Sequence, residues 1–290
     1  MENYQKCIRN GKSAGAPFRA TAPQLKGTFK MKSKCLILSA FVALAGFLPQ
    51  SKADLILGTA DSFAVLAHST VTSSDNTVLN GNLGLYPGTS ITGFYPPGVV
   101  NGTTYAGGSV AAQAQTDALT AYNFLAGEKT GAQNLSGEDL GTLILTPGVY
   151  KFDSSAGLGV TGTLTTLTLS GSGNFVFQIG STLTTASGSS MVLTGGARAA
   201  NVYWQVGSSA TLGTGTAFDG SILAHDSITL DTGADLSGRA LALTGAVTLY
   251  SNDISVPTAV PEPGTLISGA LLLLPFGAST LRILRRRQAA

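Results

Sequence analysis

The chain has 290 residues, of which 43% are hydrophobic, only 11% are charged and 37 are glycine, a balance that suits short stacked strands better than a bulky core. Its formal net charge of +2 hides a segregation. Nine of the 17 Lys and Arg lie at or before Lys52 and four at or after Arg282, so residues 54–260 carry Lys129, Lys151, Arg198 and Arg239 against 13 carboxylates, a balance of −9. An acidic body without a basic patch argues against nucleic-acid binding, whose affinity comes largely from Lys and Arg on phosphate.

Met31-Lys32-Ser33-Lys34 is a basic opening, residues 35–48 are an apolar run, and Ser51-Lys52-Ala53 supplies small residues. This is the pattern of a secretory signal peptide cleaved after Ala53 and too short to span a membrane. Met31 is a candidate start, which would leave residues 1–30 ahead of it; an internal signal anchor is the other reading. Both cysteines, Cys7 and Cys35, precede the cleavage point, so the exported protein would have no thiol or disulfide. We therefore divide the chain into residues 1–53 (leader and signal peptide), 54–256 (body) and 257–290 (linker and tail).

Residues 54–102 mix short β-like pieces with turn signals such as Asn80-Gly81 and Pro96-Pro97-Gly98, and are expected to form a capping region with at least one coil. Residues 109–126 read as the one long α-helix, with Ser109 as N-cap and Gly127 just past the end. Ala111, Ala114, Ala118, Ala121, Tyr122 and Leu125 fall on one stripe at helical spacing, a packing surface that would cover one flank of the body.

From Gly141 the β pattern is continuous. Residues 174–181 match residues 201–208 at an offset of 27, and residues 210–224 match residues 228–242 at an offset of 18, with seven of 15 pairs identical. A fixed period with glycines between short strands marks a solenoid, whose repeats cannot bury an apolar face alone. Eighteen residues divide into three strands and three corners, which predicts a mainly β, three-sided β-solenoid ending near Ile254.

Catalytic chemistry finds little support. His68 and His225 lack metal-ligand spacing, and no nucleophile elbow, HExxH or phosphate loop is present. Asp219, Asp226, Asp231 and Asp235 invite comparison with sugar-cleaving solenoids, but they sit beside Gly, Ser or Thr at expected corners, where solvated aspartates are common. No catalytic residue, metal ligand or cofactor is assigned. The threonines do recur: Thr163, Thr165, Thr182, Thr184, Thr211, Thr214, Thr216, Thr229, Thr232, Thr244 and Thr248 are the candidate binding residues. Stacked threonines would stand about 4.8 Å apart between coils and about 6.7 Å apart along a strand, spacings near oxygen repeats in ice. Thr is also a good strand former on any exposed face, so composition alone leaves both readings open.

Two resemblances bear on the choice. Pro261-Glu262-Pro263, the apolar residues 265–281 and the arginines at 282 and 285–287 resemble a PEP-CTERM sorting signal. That resemblance implies membrane contact through residues 265–284 and processing by an exosortase-type enzyme; an ordinary C-terminal anchor is the alternative. Leu57-Gly58-Thr59-Ala60-Asp61-Ser62-Phe63-Ala64-Val65-Leu66-Ala67, Pro147-Gly148-Val149-Tyr150, residues 208–215, Asp226-Ser227-Ile228-Thr229-Leu230 and residues 238–249 resemble the microbial ice-binding protein family. This implies a right-handed, discontinuous β-solenoid with the helix packed alongside, and adsorption to an ice crystal surface through one flat side. A monomer is expected, exported to the cell surface or beyond. Asp231 and Asp235 among the late threonines put the choice of side in question. A surface solenoid for adhesion or polysaccharide binding is the competing reading, and exposed aromatic rings would favour it.

Overall fold

The structure, a computed structural model, describes residues 56–161 and 165–257. The leader, the signal peptide, Thr163 and the sorting motif at Pro261, Glu262 and Pro263 lie outside the described residues.

Strands of two to eight residues, interrupted by glycine and serine, force the chain to turn repeatedly. The first coil is β1 (Phe63–Ala67), β2 (Thr70–Ser74) and β3 (Val78–Asn80); the second is β4 (Asn82–Leu85), β5 (Ser90–Thr92) and β6 (Val99–Val100), with β7 (Thr104–Ala106) beginning another. The helix α1 (Gly108–Gly127) follows, then β8 (Gln133–Asn134), β9 (Ile144–Leu145), β10 (Gly148–Phe152), β11 (Ala156–Leu158) and β12 (Thr166–Ser170). Next come β13 (Phe175–Ile179), β14 (Leu183–Thr185), β15 (Ser190–Thr194), β16 (Val202–Val206), β17 (Ala210–Leu212) and β18 (Ala217–Ala224). The chain closes with β19 (Ile228–Leu230), β20 (Asp235–Ala242), β21 (Val247–Tyr250) and β22 (Asp253–Ser255).

All pairings are parallel, and each strand lies on its counterpart one turn away. The offset of 27 pairs β13 with β16 and the offset of 18 pairs β18 with β20, as the sequence repeats predict. Three sides result. One seven-stranded sheet runs β11-β14-β17-β19-β21-β2-β5, while a larger sheet wraps the other two sides. Strands β18 and β20 cross from one of those sides to the other, bending at paired Gly220 and Gly238. Gly220 has φ 109°, and a Cβ there would lie 2.7 Å from the Val202 carbonyl oxygen, so only glycine fits the bend.

The order of coils in space differs from their order in sequence. Strand β21 has β19 on one flank and β2 on the other, with Val71 opposite Val247 and Thr72 opposite Thr248. Likewise β1 sits between β20 and β4, and β22 between β20 and β3. The chain's first coils are thus stacked on its last, so the solenoid is discontinuous and the capping region forms two coils.

Inside the tube, Tyr150, Phe177, Trp204 and Phe218 make a ladder of rings; Phe177 and Trp204 are stacked with centroids 3.9 Å apart. Each is buried, which gives small coils a large apolar payload. The Trp204 Nε1–H donates to the Asp219 carbonyl at 3.0 Å, satisfying its one polar atom.

The helix closes the side formed by β10, β13, β16 and their continuations. Ala114, Ala118, Ala121 and Leu125 are buried in one cluster with Val149, Val176, Tyr203, Leu223 and Leu241, since alanines let the helix approach a sheet closely, and Ala111 is buried as well. Gln115 is buried too and donates to the Ala242 carbonyl at 3.2 Å; Tyr122 is only partly buried. The helix ends differ from expectation. Gly107 and Gly108, with φ 79° and 80°, swing the chain out of β7, so Ser109 falls inside the first turn and caps nothing. Gly127 still belongs to the helix, and its last carbonyls are served from the sheet: Gln178 Nε2 donates to Leu125 and Glu128, both at 2.6 Å.

Candidate binding face

On a strand, side chains alternate between core and solvent. In the seven-stranded sheet Leu183, Ala210, Leu212, Ile228, Leu230, Val247, Leu249 and Val71 point inward and are essentially buried. The residues between them point outward and fall in register: Thr184 opposite Thr211, Thr211 opposite Thr229, Thr229 opposite Thr248, Thr248 opposite Thr72, and Thr72 opposite Thr92. Six threonines therefore form one unbroken row, continued at one end by Gly157. Two residues earlier on each strand, a second row of small residues runs Ser155, Thr182, Ser209, Ser227, Ala246, Thr70 and Ser90. None of the seven strands contains a charged residue.

The candidates thus divide. Thr184, Thr211, Thr229 and Thr248 share the central row, and Thr182 lies in the second, donating to Ser155 Oγ at 2.8 Å. Thr214 and Thr232 stand exposed at the corner leading to the third side, joined by a backbone bond from Gly215 to Thr232. Thr216 is buried, its hydroxyl 2.8 Å from that of Thr185. Thr244 is at the opposite corner and donates to the His225 carbonyl at 2.7 Å. Thr165 leads into β12 on the third side. Thr70, Thr72, Ser90 and Thr92 were missed by sequence reasoning. Only the likeness of Thr70-Val71-Thr72 to Ala246-Val247-Thr248 signals them, and no fixed period joins the two.

The other two sides are unlike this one. The helix covers the first. The third carries carboxylates: Asp235 lies beside Asp253, whose N–H donates to Asp235 Oδ1 at 3.0 Å, and Asp219 follows along β18. Burial pushes the Asp219 carboxyl above the usual carboxylate range, against a hydrogen bond from Ser237. Asn80 and Asn101 extend this polar ladder, with Asn101 donating to Asn80 at 2.8 Å and Asn80 to Asp253 at 3.1 Å. Asp235 is therefore absent from the threonine sheet. Asp231 stands at its rim, one residue beyond Leu230. Asp226 marks the opposite corner, where hydrogen bonds from His225, then Ser208 and Thr244, hold it below its ordinary range.

The four aspartates weighed for catalysis do not converge in one cleft. Among the described residues, no group of three or more His, Cys, Asp or Glu could hold a metal ion. Phe177, Tyr203 and Trp204 are fully buried, so none of these three offers a platform for stacking on sugars, whereas Tyr95 and Phe124 are exposed. Among the described residues no helix is long and apolar enough to cross a membrane.

A parallel tube with a rigid, neutral, hydroxyl-bearing sheet now has relatives to be set beside. The model of the Ice-binding-like family matches residues 65–255. The chain belongs to that family. An ice-binding protein of Nostoc sp. (strain HG1) is 52% identical over 252 residues, covering 82% of this chain and 91% of the relative. Among solved structures, an ice binding protein from an Antarctic biological consortium has 48% identity and a TM-score of 0.65, covering 70% of this chain and 90% of its own. The ice-binding protein of the Antarctic ascomycete Antarctomyces psychrotrophicus has 41% identity and a TM-score of 0.65, covering 70% of this chain and 98% of its own. The family is non-enzymatic, in agreement with the absence of catalytic motifs from the sequence.

Proposed function

We propose that this protein adsorbs to ice through the outward face of the seven-stranded sheet, inhibiting ice growth and recrystallisation. The observation that carries the reading is the row Thr184, Thr211, Thr229, Thr248, Thr72 and Thr92, set in strands free of charge. Parallel in-register pairing repeats each hydroxyl and methyl at about 4.8 Å, a rise set by backbone hydrogen bonds. Such a row holds water in place before any crystal arrives. Many weak contacts then add with little further entropy to lose, because the side chains are already ordered. A charge in the grid would hold its hydration shell and oppose this; Asp231 and Asp226 stand only at the borders.

Thermal hysteresis and recrystallisation inhibition test the reading. Thr229→Tyr and Thr248→Tyr, at the centre of the row, are expected to cut activity about tenfold by lifting the sheet off the crystal, since the contacts act together. Thr232→Tyr, at the corner, is expected to leave it unchanged. Equal activity in all three rejects this face.

We further propose that the protein is exported by the signal peptide ending at Ala53. The Pro261-Glu262-Pro263 tail then brings it to the membrane for processing by an exosortase-type enzyme. The order of basic, apolar and small residues at 31–53, and of Pro-Glu-Pro, apolar run and arginines at 261–287, supports this. N-terminal sequencing and intact mass of the protein purified from its cells test both cleavages.

A further inference from the structure

The chain enters and leaves the described body away from the threonine sheet. At the first end, Ile56 packs with the buried cluster between α1 and the sheet beneath it. At the other, the Val256 N–H donates to the Asn80 carbonyl at 3.0 Å, beside the turn Asn80-Gly81-Asn82 that carries β3 over to β4. That turn is the corner between the third side and the helix side, the one corner of the triangle that the threonine sheet does not touch.

The exit is fixed by the fold. Continued coiling would lay the residues after β22 on the helix side, next to β20. That place is filled by β1, which pairs with β20 through Val65 opposite Ala240 and Leu66 opposite Leu241 and holds β4 on its other flank. Pro257 also lacks the N–H that a ladder would need. The first coils of the chain thus close the stack to further coiling after Ser255, at the corner opposite the threonines.

We propose that, before its tail is processed, the body works while held by its C-terminal end on a lipid membrane, with the threonine sheet facing away from the support and open to solvent. The proposal rests on the reading of that sheet as the ice-adsorbing face. A chain held beyond Pro257 then adsorbs as well as a free one and links its membrane to the crystal.

The test uses the full chain on streptavidin beads, scored by the fraction of beads taken into a slowly growing ice front. One form carries biotin after Ala290. Two others carry Cys7→Ser and Cys35→Ser with a single biotinylated thiol, at Thr229→Cys on the sheet or at Asn123→Cys on the outer face of the helix. The first and third are expected to retain adsorption, and the second to lose it about tenfold as the grid is masked. Loss in the first form while the free chain still adsorbs overturns the held-body inference alone. Failure of the free chain overturns the ice reading itself. Vesicles of phosphatidylethanolamine and phosphatidylglycerol carrying the full chain are expected to enter the ice front. Vesicles that do not retain the chain, or that retain it and stay in the liquid, overturn the membrane as the support.

Discussion

A threonine in the central row has one neighbour above and one below, and its value lies in their sameness. Thr211 and Thr229 are readable in the sequence because their coils repeat at 18 residues. Thr72 and Thr92 belong to the same row, yet Thr72 is joined to Thr248 across the discontinuity, where no constant offset exists. Other polar residues hold the scaffold. Asp139 accepts hydrogen bonds from the Gly141, Gly159 and Thr161 amides and from the Thr161 hydroxyl, at 2.6–2.9 Å. Burial would raise its pKa, but these donors outweigh it and hold the carboxyl below its usual range. A carboxylate so depressed contributes stability that is complete above the unfolded value near about pH 4 and lost as pH falls through the folded value. Asp139→Asn is expected to cost about 2 kcal/mol at neutral pH, because the amides of Gly141 and Gly159, both buried, lose a charged acceptor. The deficit should shrink in acid, as denaturant melts between pH 7 and 2.5 would record; a pH-independent difference contradicts the assignment.

At the scale of elements, the helix was legible and its ends were not. Its alanine stripe follows from periodicity, whereas its C-terminal satisfaction comes from Gln178, about fifty residues later in the chain and on a strand. A local pattern cannot display a cap supplied from elsewhere in the fold. Gln178→Ala removes the side-chain donor from two carbonyls at the helix end and leaves Leu125 only the longer bond from the Glu128 N–H, which predicts a loss of about 1–2 kcal/mol. Amide exchange should rise first in the last turn of α1 and leave β17 and β19 unaffected. Replacement by Glu, which accepts but does not donate at neutral pH, should not restore the helix end. The sheets were more legible than the helix ends, because offsets of 18 and 27 translate directly into parallel register.

At the scale of the molecule, the union of the first coils with the last depends on a nearly buried cation. Arg239 reaches Asp61 with Nη2 at 2.6 Å, the Asp61 carbonyl with Nε at 2.7 Å and Ser221 Oγ with Nη1 at 3.1 Å. Its side chain is 3% exposed. A guanidinium can serve three acceptors in a fixed fork where an ammonium cannot. Arg239→Ala is expected to cost about 2–3 kcal/mol, and Arg239→Lys to recover only part of it. Hydrogen exchange should localise the opening to β1 and the turn before it; uniform loosening of every coil would argue against a specific clasp.

Thr72 and Thr248 touch across the sheet, yet the ribosome makes them 176 positions apart. On the reading of this row as the ice-adsorbing face, a polypeptide stopped short of its final turns presents two patches and no continuous surface. The unbroken row forms only once β21 has been made and has closed onto β2, a long-range closure of the kind that high contact order makes slow.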